Sequence, residues 1–227
     1  MPEPASSPPR AAYFDVDGTL ARSDIVGPLI LIRKRLQNPL AHALWLAALP
    51  PRGLYWYLLD KRDRAASNRA IYACYGGLDA ARVKALAGAV YEAYWTPRLF
   101  PLARARLDAL KAGGARPVFV TGGLDFLVEP LARDCGAEVI APALEERGGR
   151  FTGRLAGEPL AGEAKAEALR AHAQARGIDL AASHAFGDAF GDIPMLETVG
   201  HPVAVNPGRR LRKHARERGW PVEWWGV

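Results

Sequence analysis

Apolar residues follow two rhythms along the chain, and the change between them divides the sequence. Ala11–Phe14 is a short continuous apolar run, the pattern of a strand covered on both faces. From about Ile25 to Trp95 the apolar positions instead recur every three or four residues, with no strand-like run among them. That spacing predicts helices over Ile25–Leu36, Pro39–Leu49, Gly53–Leu59, Arg62–Tyr75 and Ala80–Trp95. Pro50-Pro51 is expected to end the second of these and Gly76-Gly77 the fourth. From Pro101 short apolar runs alternate with amphipathic stretches. They predict a helix over Leu102–Ala112, a strand over Pro117–Val120, and a helix over Leu124–Cys135 that kinks or restarts at Pro130. A strand at Glu138–Ala141 and a hairpin pairing Leu144–Arg147 with Arg150–Leu155 across Gly148-Gly149 follow. Then come helix Glu163–Arg176, strand His184–Phe186, helix Ile193–Val199, strand Val203–Val205, helix Arg209–Arg218 and a last strand over Val222–Trp225.

Alternating strands and helices imply right-handed crossovers and a doubly wound parallel sheet, an α/β fold with a Rossmann-like core. The expected division is a disordered tail over residues 1–10, a core from residues 11–23 and 98–227, and an all-helical cap from residues 24–97. Both joints of the cap, near Ser23-Asp24 and Thr96–Pro101, fall by the carboxyl end of the first strand. The cap is therefore expected to stand over that end as a lid.

Composition narrows the class. Of 227 residues, 49% are hydrophobic and 24% charged, a globular balance. Met1–Arg10 is rich in proline and serine and lacks the apolar core of a secretory signal. No uncharged apolar run reaches the roughly 18 residues of a membrane-crossing helix. Cys74 and Cys135 stand far apart with no metal-binding spacing, so a reducing, cytoplasmic setting is expected. The formal charge of +6 suits a phosphate-bearing substrate or an anionic surface, although arginines that merely solvate helix faces account for it equally. No nucleic-acid partner is expected.

Candidate chemistry collects at element ends. Asp15 and Asp17 follow the first strand, with Gly18 and Thr19 behind them. Thr121 and Gly122-Gly123 follow the second strand, Lys165 opens a later helix, and Asp188 and Asp192 follow a further strand. In a doubly wound sheet such tips converge on one crevice. Asp15, Asp188 and a carbonyl near Asp17 make an oxygen site suited to Mg²⁺. Thr121 and the amides around Gly122 make a cradle for phosphate oxygens, and Lys165 adds positive charge where a transferring group is negative. A carboxylate held against phosphorus is a nucleophile, and a second one can protonate a leaving alcohol and then activate water.

Phe14-Asp15-Val16-Asp17-Gly18-Thr19-Leu20, Val120-Thr121-Gly122-Gly123, Lys165 and Gly187-Asp188 with Asp192 resemble, in order, the four motifs of the haloacid dehalogenase-like phosphohydrolase superfamily. The helical cap and the hairpin resemble its phosphoserine-phosphatase-like branch. The resemblance implies an aspartyl-phosphate mechanism with Asp15 as nucleophile and Asp17 as general acid/base. It implies Mg²⁺ on Asp15, the Asp17 carbonyl and Asp188, supported by Asp192, with Thr121, Gly122 and Lys165 holding the phosphoryl group. Asp17 separates the chain from the dehalogenases, which lack a second aspartate, and from the transport ATPases, which carry threonine there. Phosphoserine phosphatases carry a glutamate near the position of Asp24. The shorter acid here makes Asp24 a candidate for specificity, or an N-cap for the helix that follows.

The expected activity is hydrolysis of a small organic phosphate monoester, phosphoserine-like or apolar-tailed. A phosphomutase using the same chemistry is the alternative. A receiver-like signalling domain fits less well, because its phosphorylated aspartate lies mid-chain and no cap follows an opening acidic pair. The cap aromatics, including Trp45, Tyr55, Trp56 and Tyr57, read as core. They also fit an apolar channel or a membrane-surface contact, since Arg33–Arg35 and Lys61–Arg64 flank them.

Overall fold

The computed structural model describes residues 8–226. At its centre lies a six-stranded sheet in which every neighbouring pair is parallel, in the order β3-β2-β1-β6-β7-β8. The strands are β1 (Ala11–Phe14), β2 (Arg116–Val120), β3 (Glu138–Ile140), β6 (His184–Gly187), β7 (His201–Val205) and β8 (Val222–Glu223). β4 (Leu144–Arg147) and β5 (Arg150–Leu155) form a separate antiparallel hairpin. Gly148 and Gly149 both adopt positive φ, 58° and 75°, as its tight turn requires.

All four residues of β1 are buried, which explains the unbroken apolar run. Successive side chains enter opposite layers. Ala12 and Phe14 pack with Leu107, Phe119 and Phe186 on one face, and Ala11 and Tyr13 with Val118, Leu169 and Leu211 on the other. Phe14 stands opposite Phe119 on one side and Phe186 on the other. This register brings the ends of β1, β2 and β6 level. The order reverses between β1 and β6, so the ligand crevice opens at the carboxyl end of β1.

Between β1 and α7 (Pro101–Ala112) the chain is helical: α1 (Val26–Leu36), α2 (Pro39–Ala47), α3 (Leu49–Asp60), α4 (Arg64–Tyr72), α5 (Ala80–Ala85) and α6 (Ala87–Val90). Two expectations change here. Pro50-Pro51 begins α3 instead of ending α2, because a first helical turn needs no proline N–H. The single helix expected over Ala80–Trp95 breaks into α5, α6 and a wide turn over Tyr91–Trp95. Asn38, Asp63 and Asp79 start α2, α4 and α5 by accepting the amides of Ala41, Ala66 and Arg82.

The two cap joints are hydrogen-bonded together, Arg22 N to Arg98 O and Phe100 N to Leu20 O, each at 2.9 Å. The hairpin fastens the far side of the cap. Gly77 N donates to Phe151 O at 2.8 Å, and Phe151 N to Leu78 O at 3.0 Å. The buried Phe151 ring stacks on Phe126 and meets Tyr75 edge-on.

The core helices are α8 (Asp125–Cys135), α9 (Glu163–Arg176), α10 (Ile193–Leu196) and α11 (Arg209–Arg218). Pro130 lies inside α8 and does not divide it. Of the expected tail, residues 1–7 lie outside the described residues. Pro9 and Arg10 are tied down, their carbonyls accepting the amides of Asp179 and Arg116 at 2.9 Å. Cys74 and Cys135 are free thiols. Among the described residues no helix is long and apolar enough to cross a membrane.

Replacing Phe14 removes a ring packed between two others. Phe14→Ala is expected to cost about 3–5 kcal/mol in urea unfolding, while Leu40→Ala, on the exposed face of α2, changes stability by less than about 0.5 kcal/mol.

Candidate active site

Asp15 leaves β1 at the reversal of the sheet and is buried. Its amide donates to Phe186 O at 2.9 Å, anchoring it to β6. The chain then turns tightly, with Leu20 N and Ala21 N both returning to Val16 O. Gly18 has φ 92° and lies directly beneath Asp188, where a Cβ would sit 2.2 Å from its carboxylate. Gly187 is equally constrained, since a Cβ there would come within 2.7 Å of Asp192. Glycine at both places lets the two acidic loops approach.

Lys165, in the first turn of α9, reaches across the crevice and is itself buried. Its Nζ donates to Asp15 Oδ1 at 2.5 Å and to Asp192 Oδ1 at 2.7 Å. Asp192 Oδ2 also accepts the Ala189 amide at 3.0 Å. Carboxylate oxygens of Asp15, Asp188 and Asp192 lie within 4.8 Å of one another. Among the described residues no protein hydrogen bond reaches the Asp188 carboxylate. Asp17 accepts the Ser23 hydroxyl.

The electrostatics follow from this crowding. Burial pushes Asp15 up to about 7, with Lys165 pulling down and Asp192 pushing up. Burial, then Asp15 and Asp192, pushes Asp188 up to about 8. Burial also raises Asp17, against the hydrogen bond from Ser23. For Lys165 burial opposes the charge, yet Asp15 and Asp192 hold the ammonium protonated above its usual range.

A cavity of about 490 Å³ opens over this cluster. Asp15, Asp17, Lys165, Asp188 and Asp192 line it from the core, with Gly122 and the Leu160–Gly162 segment beside them. The cap closes it with Asp60–Ala65 and Asn68. Thr121 lies near but does not line the cavity. It is fully buried, and its hydroxyl accepts the Gly123 amide at 2.9 Å, which shapes the turn that presents Gly122. Tyr72 from the cap donates to Gly122 O. Asp24 stands at the rim of an adjoining groove, and its Oδ1 accepts the amides of Val26 and Gly27 at 2.7 and 2.8 Å, capping α1.

Arg64, read in the sequence only as part of a basic run, lines the cavity too, as do Asn68 and Arg210, which the sequence did not single out for this site. Arg64 and Asn68 follow the Asp63 cap of α4, and Arg210 lies over the exposed Phe190 ring at 3.6 Å. The groove, of about 820 Å³, runs from Asp17 and Asp188 between α1, α3 and α4.

Residues 12–197 match the haloacid dehalogenase-like hydrolase family. The chain belongs to that family. This HAD-like hydrolase is 32% identical to a probable phosphatase of Mycobacterium tuberculosis, over 96% of its own length and 77% of that protein. It is also 32% identical to a phosphoserine phosphatase of the same organism, over 93% of its length and 70% of that protein. A Bordetella pertussis protein of unknown function shares its fold at 28% identity with a TM-score of 0.80, covering 96% of this chain and 99% of that one. A phosphoserine phosphatase solved as a phospho-aspartyl intermediate analogue has the same fold at 20% identity, with a TM-score of 0.69 over 96% and 94% of the two chains.

Asp188 is the member of the cluster whose charge is offset least: Lys165 and Arg64 favour it, but burial, Asp15 and Asp192 outweigh them. Without added metal and at mildly alkaline pH, where its carboxyl is ionised, Asp188→Asn is expected to relieve repulsion with Asp15. Melting in EDTA should rise by about 2–4 °C, the shift that roughly 1 kcal/mol gives a chain of this size. A lower melting temperature for the variant would show that the cluster is not under strain.

Proposed function

We propose that the protein is a phosphomonoester hydrolase that works through an aspartyl-phosphate on Asp15. The observation that carries this reading is the buried Asp15–Lys165–Asp192 cluster beneath a cavity, with Asp17 two residues from Asp15. The relatives in Mycobacterium tuberculosis that are named phosphatases support it.

A carboxylate oxygen of Asp15 attacks phosphorus, and the bond from phosphorus to the ester oxygen breaks. Asp17, whose raised proton affinity keeps a proton available, passes that proton to the departing alkoxide. Asp17 is then ionised and takes a proton from the water that attacks the aspartyl-phosphate, which returns Asp15 and releases inorganic phosphate. Lys165 offsets negative charge on the phosphoryl oxygens while keeping Asp15 and Asp192 in place. Gly122 and Arg64 line the same cavity. Thr121 fixes the turn that carries Gly122.

The donor set fits Mg²⁺: hard oxygen ligands, closely grouped, with no hydrogen bond to the Asp188 carboxylate among the described residues. Asp15, the Asp17 carbonyl and Asp188 would hold the ion, and Asp192 would support them through Lys165 and the Ala189 amide. Bound there, the ion screens the attacking carboxylate from the anionic phosphate.

Asp15→Asn is expected to abolish release of inorganic phosphate from an aryl phosphate, and EDTA to do the same until Mg²⁺ is restored. Asp17→Asn should lower kcat by about 10²–10⁴. Full activity of Asp15→Asn would overturn the mechanism. Phosphoryl return to the organic substrate without free phosphate would favour the mutase.

A contact with a lipid surface is part of the same reading. α3 is apolar around its circumference, yet only Trp56 of it is buried, and Leu40, Leu44, Leu54, Tyr55 and Leu58 of α2 and α3 are exposed. Residues 25–69 hold eight basic and two acidic side chains, which suits anionic headgroups. The protein is expected to float with vesicles containing anionic phospholipid, and Leu44→Asp with Leu54→Asp to abolish flotation. No flotation of the parent protein would remove this contact.

A further inference from the structure

We infer that the alcohol half of the substrate is an apolar chain, and that it lies in the groove between α1, α3 and α4. The inference rests on the phosphomonoesterase reading above. The groove begins where that reading puts the reacting phosphate, since Asp17 and Asp188 line both the acidic cavity and the groove. An ester seated on Asp15 therefore has its organic part directed along it. The groove's walls are Ile25, Val26, Leu46, Leu49, Trp56 and Ile71. Its volume of about 820 Å³ lies within the range of built ligand sites.

Several polar groups on these walls are already engaged. Asp24 Oδ1 caps α1 through the Val26 and Gly27 amides. The Ser67 hydroxyl donates to Trp56 O at 3.0 Å, and the Ser23 hydroxyl to Asp17. Asp60, Arg64 and Asn68 also line the acidic cavity, so they gather at its mouth, and Tyr57 adds one hydroxyl farther along. Beyond that mouth Asp24 is the one charged side chain on the walls among the described residues, so the carboxylate of an amino-acid phosphate would meet no cation there, and burying it unpaired is costly. A methylene chain brings only area, and each buried methylene raises affinity about threefold.

The position of Leu46 and Leu49 sharpens the assignment. They flank the short link between α2 and α3. Leu46, Pro50, Gly53, Tyr57 and Asp60 turn one side of that helical pair toward the groove, while Leu44, Leu54 and Leu58 remain exposed elsewhere on it. The groove side is thus a largely apolar surface facing the reacting centre, and no segment among the described residues covers it.

The test is a series of straight-chain alkyl phosphates, ethyl, butyl, hexyl and octyl, each kept below its aggregation concentration, with O-phosphoserine alongside. The leaving alcohols are chemically equivalent from butyl onward, so a slope reports binding of the chain. kcat/KM is expected to climb about threefold per methylene until the groove fills, with octyl phosphate above O-phosphoserine. Leu49→Asp and Leu46→Gln should each flatten the slope measured against that variant's own rate on ethyl phosphate, with thermal melting confirming the fold. A flat or falling series, O-phosphoserine ahead of octyl phosphate, or a slope that survives in both folded variants would overturn the inference while leaving the hydrolase reading intact. Hydrolysis of none of these esters would overturn the hydrolase reading, and this inference with it.

Discussion

One buried ammonium holds the site together. Lys165 is the cation between Asp15 and Asp192, with Asp188 close by and Asp17 two residues along the chain. A cluster with more acids than bases does not form inside a protein unless the fold leaves it no alternative. The parallel sheet supplies that constraint. The level ends of β1 and β6 place Asp15 and Asp188 side by side, and the glycines beneath them allow the loops to close. Burial with the negative charge left over holds Asp188 above the usual carboxylate range, and burial with Asp24 nearby does the same for Asp17. Stability is given up at this place so that chemistry can occur there.

The cap has two mechanical regimes. Near α4 and α5 it is fastened to the core, through the paired joints at Arg22–Arg98 and Leu20–Phe100 and through the hairpin around Phe151. These contacts set Asn68 and Tyr72 against Gly122. The α2–α3 pair lacks such a fastening and carries most of the cap's exposed leucines. The part of the cap over the acidic cavity is therefore fixed by backbone hydrogen bonds. The α2–α3 pair is held instead through packing of Trp45 and Trp56 and the bond from the Ser67 hydroxyl to Trp56 O.

Much of this was legible in the sequence, for identifiable reasons. Asp15, Asp17, Asp188 and Asp192 each follow an apolar strand, and a parallel sheet sends strand ends to one crevice, so their convergence followed from chain order alone. Lys165 was legible through the resemblance but not through its surroundings. Arg64, Asn68 and Arg210 were not legible, because their place over the cavity depends on how α4 and α11 settle against the core, and local spacing carries no trace of that. Pro50-Pro51 misled for a related reason. Proline opens a helix as readily as it ends one, and only the position of Leu49 against the rest of the cap decides between the two.

The hairpin shows how a local prediction can be correct and still miss the point. Its glycine turn and pairing follow from Gly148-Gly149, but its task is tertiary. It extends from the core to receive Gly77 and Leu78 of the cap. Without it the cap would be tied to the core by backbone pairing only at its two joints, and Asn68 would lack a fixed distance from the acids. The fold thus separates two demands. Phosphate chemistry needs groups held within a fraction of an ångström, and the hairpin-fastened half of the cap provides them. Recognition of an organic group by apolar contact, as inferred for the groove, tolerates looser placement, which suits the α2–α3 pair. The boundary between them runs through Asp60, Arg64 and Asn68, which belong to both cavities.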